Sequence, residues 1–172
     1  WLEARVRKLI EAGVDVVAFG DDLGLQDRTM ISPETFRRWL RPTYEKLWRL
    51  CRENGVHAYM HSDGYILPLI EQFIEMGLSI VNPQDLVNGL DNLARVAKGR
   101  IAIHLDIDRQ TVVPFGTPEQ IDAHVRQCVE RLYMPEGGLA VIVGIYPDVP
   151  PENVDALLAA FRRYCLDLSW LR

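Results

Sequence analysis

The chain has 172 residues, 48% of them hydrophobic and 25% charged, with a formal net charge of −5 from 19 basic and 24 acidic side chains mixed along its length. This is enough apolar material for one globular domain, and the absence of a basic stripe argues against a nucleic-acid partner. No run approaches the roughly 18 uninterrupted apolar residues of a membrane span, which argues against a membrane.

The first segment, residues 1–12, reads as an amphipathic helix with no capping residue before it. Short β-branched runs then alternate with longer helical patterns, the signature of βα units carrying a parallel sheet. Residues 14–19 form the first predicted strand. Ser32-Pro33-Glu34 starts a helix, with serine as N-cap and proline in the first turn, that runs toward the C-cap signal Asn54-Gly55. Pro42 lacks a backbone donor and should kink or divide it. Residues 56–60 are the second strand, 66–76 a helix closed by Gly77, and 78–81 the third strand. A helix over 90–97 stops at Gly99, and 101–105 is the fourth strand. Thr117-Pro118-Glu119-Gln120 has capping-box character and opens a helix through Leu132. Residues 139–143, wholly apolar, read as a strand covered on both faces. Pro151-Glu152-Asn153 begins the last helix, ending near Tyr164.

The order describes an α/β protein, read as the carboxy-terminal portion, about five βα units, of a (β/α)₈ TIM barrel. A complete barrel needs about 250 residues, so residues 1–172 are expected to be part of one barrel domain whose amino-terminal strands lie outside the sequence. Unpaired strand edges would then invite a second copy, a homo-oligomer, or the rest of a longer chain. The cysteines, Cys51, Cys128 and Cys165, are odd in number and set in helical patterns, so they read as buried free thiols of a cytoplasmic protein.

In such folds ligands bind at the carboxyl ends of the strands. Strand one is followed by Asp21 and Asp22, strand two by His61, Ser62, Asp63 and Gly64, and strand three by Asn82, Gln84 and Asp85. Strand four yields His104, Asp106 and Asp108, and strand five leads to Tyr146. Each has a plainer reading: Asp21 or Asp22 caps a turn, Asp85 is the N-cap of the next helix, Asp108 holds Thr111 or a loop amide, and His57 is a hydrogen-bonded core histidine. As a set, the acids and imidazoles converge on one mouth. They can bind a divalent metal, for which His61 and Asp63 flank one residue at a strand end, or act as acid and base, or bind a polar substrate.

The segments GDDLG with ISPETFRRWLRPTYEKL, HSDG with GLSIVNPQD, LDID with FGTPEQIDAHV, and GIYPDVPPENVDAL resemble the uroporphyrinogen decarboxylase superfamily over nearly the whole chain. That superfamily also contains zinc-dependent methyltransferases that exchange methyl groups with corrinoids and coenzyme M. The resemblance implies a TIM barrel and an enzyme acting on a small-molecule substrate. Superfamily zinc methyltransferases carry His-x-Cys-Gly where this chain has His61 to Gly64, and a further cysteine near the last strand. Here Asp63 and Val143 stand in the cysteine positions, and Val143 also replaces the histidine of the decarboxylases' GHG stretch. A thiolate-rich zinc site is thereby ruled out. A harder site of His61 and Asp63, with Asp22 or Asp106, is the alternative for zinc or another divalent metal.

The expectation is a methyltransferase or demethylase with a corrinoid partner protein. Its catalytic residues would be Asp21, Asp22, His61 and Asp106, its substrate-binding residues Gln84, His104, Asp108 and Tyr146, and its metal ligands His61 and Asp63. Two other readings stand beside it: a porphyrinogen decarboxylase whose strand-end carboxylates bind pyrrole nitrogens, and an inactive binding or assembly module.

Overall fold

A computed structural model describes residues 1–166 and 168–171. Among them five strands, β1 (Val16–Gly20), β2 (His57–His61), β3 (Ile80–Asn82), β4 (Ala102–Asp106) and β5 (Leu139–Ile142), form one parallel sheet in the order β1-β2-β3-β4-β5. Each strand pairs with its neighbour in sequence, with Val17 opposite Ala58, Met60 opposite Val81 and Ile103 opposite Leu139. Sequential parallel strands, each returned by helical segments on the same side, make this a portion of a (β/α)₈ barrel.

Strand alternation sorts the residues onto two faces. Val17, Ala58, Met60, Val81, Ile103 and Leu105 are buried beneath the helices, whereas Val16, His57, Ala140 and Ile142 on the concave inner face are exposed. Two expectations change here. β5 is covered on one face, not both: Leu139 and Val141 pack on the core while Ile142 is 43% exposed, because helices cover only the outer side. His57 falls on the inner face and is exposed rather than a core histidine.

α1 (Leu2–Glu11) lies beside the first long helical path, tied to it by a 2.6 Å Glu3–Lys46 ion pair. That path is α2 (Pro33–Thr35), a π-helical turn (Phe36–Leu40) and α3 (Arg41–Glu53). Ser32 Oγ accepts the Thr35 N–H, as an N-cap should. The break expected at Pro42 takes the form of the π turn: the Arg41 N–H reaches back to the Phe36 carbonyl, accommodating a proline that cannot donate. The proline thus divides the path, and Tyr44, Leu47, Trp48 and Cys51 of α3 are buried. Trp48 packs edge-on against Phe73 of α4 (Leu67–Glu75), ring centres 5.6 Å apart.

α5 (Asp85–Asn88) and α6 (Leu90–Val96) follow β3. Asp85 is the first residue of α5, not its N-cap, a place taken by Gln84. α7 (Val112–Phe115) is a single turn, α8 (Pro118–Leu132) carries the full capping box of Thr117 and Gln120, and α9 (Pro151–Phe161) closes the layer. Four-residue helices such as α5 and α7 are too short for periodicity to reveal. Cys51 and Cys128 are buried, Cys165 is only half-buried, and all three thiols are free. No helix among the described residues is long and apolar enough to cross a membrane.

Candidate active site

The carboxyl ends of the strands carry the polar residues, and strand parity decides which reach the mouth. In β1, Val17 is buried and Phe19 packs on Trp48, so Asp21 turns to the helix side, where the Tyr44 hydroxyl donates to its carboxylate. Burial and that carboxylate push the Tyr44 hydroxyl well above the usual phenol range. Asp21 therefore anchors β1 to α3. Asp22 turns the other way, and its Oδ1 accepts the Asp63 N–H at 3.3 Å.

The turn after β2 is held from several sides. Gly64 has φ +78°, and a Cβ there would lie 2.3 Å from the Gly24 backbone, so the two loops meet only because both positions are glycine. The Leu23 N–H donates to the buried Ser62 Oγ at 2.9 Å, and the Gly64 N–H donates to Gln84 Oε1 at 2.8 Å. Gln84, read from sequence as substrate-binding, is 5% exposed and engaged in this scaffold.

His61 and Asp63 do project together, with His61 Nε2 3.5 Å from Asp63 Oδ1. His61 Nδ1 lies 2.7 Å from Asn82 Oδ1, while the other end of that amide donates to the His104 carbonyl. An amide whose NH₂ is spent on a carbonyl presents oxygen to its other neighbour. Nδ1 is therefore the protonated nitrogen, and Nε2 offers a lone pair to the mouth.

Arg109 completes the group. Its Nη2 donates to Asp63 Oδ1 at 2.5 Å and its Nη1 to Asp106 Oδ2, so one guanidinium ties the end of β2 to the end of β4. Burial works against its charge, but the Asp63 hydrogen bond and the Asp106 carboxylate hold its pKa above the usual value. Asp106 is 3% exposed, and burial pushes its carboxyl up to about 6 although Arg109 pulls the other way. Gly144 makes room: a Cβ there would sit 3.2 Å from Arg109 Cδ and 3.1 Å from the Tyr146 ring, which stands half-exposed on the rim.

Asp108, two residues beyond Asp106, behaves oppositely. Burial alone would raise its carboxyl, but the Thr111 hydroxyl and the N–H groups of Val112, Gln110 and Thr111 hold it below the usual range. It caps the turn into α7, as its plainer reading anticipated, and its carboxylate oxygens are engaged by that turn. His104 sits one layer below the mouth on the inner face, 5.8 Å from Tyr59 ring to ring, and burial pushes its pKa down.

The structure thus gathers Asp22, His61, Asp63 and Asp106 and sets Asp21, Gln84 and Asp108 apart. Arg109 was missed by the sequence reading; its one signal was a lone base among strand-end acids. Asp22, His61 and Asp63 also offer three donor atoms within 4.8 Å of one another. One imidazole and two carboxylates with no thiolate fit a divalent ion that prefers nitrogen and oxygen, and the Asn82 contact on Nδ1 is the orienting bond that ligand histidines commonly make.

The family model for uroporphyrinogen decarboxylase (URO-D) matches residues 2–164. Methylcobamide:CoM methyltransferase MtaA of Methanosarcina barkeri is 26% identical over 164 residues, covering 94% of this chain and 45% of that protein. Uroporphyrinogen decarboxylase of Synechococcus sp. (strain CC9605) is 26% identical over 159 residues, covering 90% and 42%. Among solved structures, a methyltransferase from Methanosarcina mazei superposes with a TM-score of 0.67 at 24% identity, covering 95% of this chain and 46% of that one. Dihydropteroate synthase from Anaplasma phagocytophilum gives 0.56 at 17%, covering 98% and 66%, a likeness of fold alone. The chain spans about half the length of the curated relatives it matches. With a family match that runs almost end to end over a partial barrel with a polar mouth, the chain belongs to the uroporphyrinogen decarboxylase (URO-D) family.

Proposed function

We propose that this chain supplies the mouth of a cytoplasmic methyltransferase or demethylase that acts on a small-molecule substrate together with a corrinoid protein. The observation that carries the proposal is the disposition of His61: Nδ1 is pinned by Asn82, and Nε2 faces Asp63 and the open mouth. The relatives named as methylcobamide:CoM methyltransferases point the same way.

Asp22, His61 and Asp63 would hold a divalent ion, which when bound would acidify a substrate thiol or hydroxyl. Asp106 receives the released proton, since a carboxyl near 6 is half-protonated close to the operating range and returns it readily. Arg109 balances the charge of Asp63 and Asp106 and fixes their separation. Tyr146 on the rim contacts the substrate, His104 closes the floor, and Asp21, Gln84 and Asp108 act by holding the loops. The free edges of β1 and β5 are where the remaining barrel strands, or a second copy, complete the wall.

Porphyrinogen decarboxylation is the second reading, favoured by the buried Asp106, which can share a proton with a pyrrole intermediate. The protein carrying this chain, mixed with methylcob(III)alamin and a thiol acceptor, separates the two. Demethylation of the corrinoid, visible in its absorption spectrum and lowered about 10–100-fold in His61→Ala, is expected. No methyl transfer, with carbon dioxide released from uroporphyrinogen instead, would replace this proposal by the second.

A further inference from the structure

Behind the sheet, on the opposite side of the β3 end from the mouth, lies a second convergence of donor atoms. His124 and Cys128 are four residues apart on α8 and so share one face of the helix. Asp85, the first residue of α5, meets them from the preceding βα unit. Asp85 Oδ2 is 2.7 Å from His124 Nε2 and 3.6 Å from Cys128 Sγ, and Cys128 Sγ is 3.7 Å from His124 Nε2. All three residues are buried, at 1%, 8% and 0% exposure.

We propose that Asp85, His124 and Cys128 form a binding site for a single borderline divalent cation of the zinc class. The two contacts of the sulfur have the lengths of ligand edges around a tetrahedral ion bound at about 2.0 Å to nitrogen and oxygen and 2.3 Å to sulfur. Only the Asp85–His124 edge must open. A carboxylate, an imidazole and a thiol are also the three ligand types such an ion takes, with the softest among them absent from the mouth. The carboxylate is oriented beforehand: its Oδ1 accepts the Leu86 N–H and its Oδ2 the Asp108 N–H.

The alternative, a cysteine nucleophile activated by a histidine and an aspartate, does not fit. In such a relay the two ring nitrogens face different partners, whereas here Nε2 alone meets both. Cys128 is also sealed from substrate, and burial and the Asp85 charge push its thiol well above the usual range. A bound cation would reverse that preference, since a coordinated thiol loses its proton. Access comes from a groove of about 470 Å³ lined by Val112, Phe115, Gln120, His124 and Gln127, through which an ion and one water as fourth ligand can enter beside His124.

Because Cys128 is the only cysteine in either donor cluster of the described residues, cobalt(II) reports on this site by colour. The purified protein carrying this chain, stripped with chelator and titrated with cobalt(II), is expected to develop a near-ultraviolet thiolate-to-cobalt charge-transfer band. Its final intensity corresponds to one thiolate-bound cobalt per chain, whether or not the mouth takes up a second ion. The band should be lost in Cys128→Ser, weakened at least about tenfold in affinity in His124→Gln, and retained in His61→Ala and Asp63→Ala. Circular dichroism of Cys128→Ser should match the parent, since serine fills nearly the same volume. Uptake of cobalt without the band, a band that survives Cys128→Ser, or no uptake overturns the proposal.

Discussion

Two clusters, each with one histidine and at least one carboxylate, stand on opposite sides of the same strand ends, and their surroundings give them different chemistry. At the mouth, His61 and Asp63 are about one-third exposed and share their charge with Arg109 and Asp106. Behind the sheet, Asp85 and His124 are buried, with a thiol in place of the guanidinium. The difference teaches that residue type alone does not assign a role in this fold. The mouth tolerates rearrangement because water can solvate whatever is released. The rear cluster meets solvent only through the groove beside His124, so its groups are bound to one another or to an ion.

The largest expected effect follows from that contrast. Asp85→Ala leaves a buried histidine and the Leu86 and Asp108 N–H groups without an acceptor and should cost about 3–5 kcal/mol, read from the urea midpoint. A loss below about 1 kcal/mol would mean that water fully replaces the lost carboxylate and that the contrast is overstated.

Next in size is the pH dependence carried by Asp106. Its carboxyl rises from 3.8 to about 6 on folding, so the folded chain binds more protons than the unfolded chain between those values. Its contribution is full below pH 3.8 and is lost as pH rises through 6, a swing of up to about 3 kcal/mol. Asp106→Asn should remove this slope, and chemical denaturation across that window in both chains tests it. Equal slopes would place Asp106 in a better-solvated mouth than the geometry describes. Asp108→Ala should cost about 1–2 kcal/mol at neutral pH, as the loss of a cap does, with no change in ligand binding.

Much of the mouth was legible because a strand has a period of two. Once Met60 is assigned to the core, His61 and Asp63 must share the other face. The same rule, applied to Phe19, would have sent Asp21 toward the helices, where Tyr44 holds it. The capping roles of Ser32, Thr117 and Asp108 were also readable, since they are made within four residues. Arg109 was not, because its Asp63 partner is 46 residues away and a single arginine carries no periodicity. Nor was the rear cluster, since His124 and Cys128 occupy ordinary core positions of α8 and acquire meaning only when Asp85 arrives from another unit.

The smallest expected change in stability accompanies the most direct test of the mouth. His61→Ala and Asp63→Ala should each alter stability by under about 1 kcal/mol, as partly exposed substitutions do. Manganese(II) binding, measured calorimetrically in a Cys128→Ser background that removes the rear cluster, should weaken at least about tenfold in each. Unchanged affinity in both variants, or no binding in the background chain, would contradict the assignment of the mouth as the functional site.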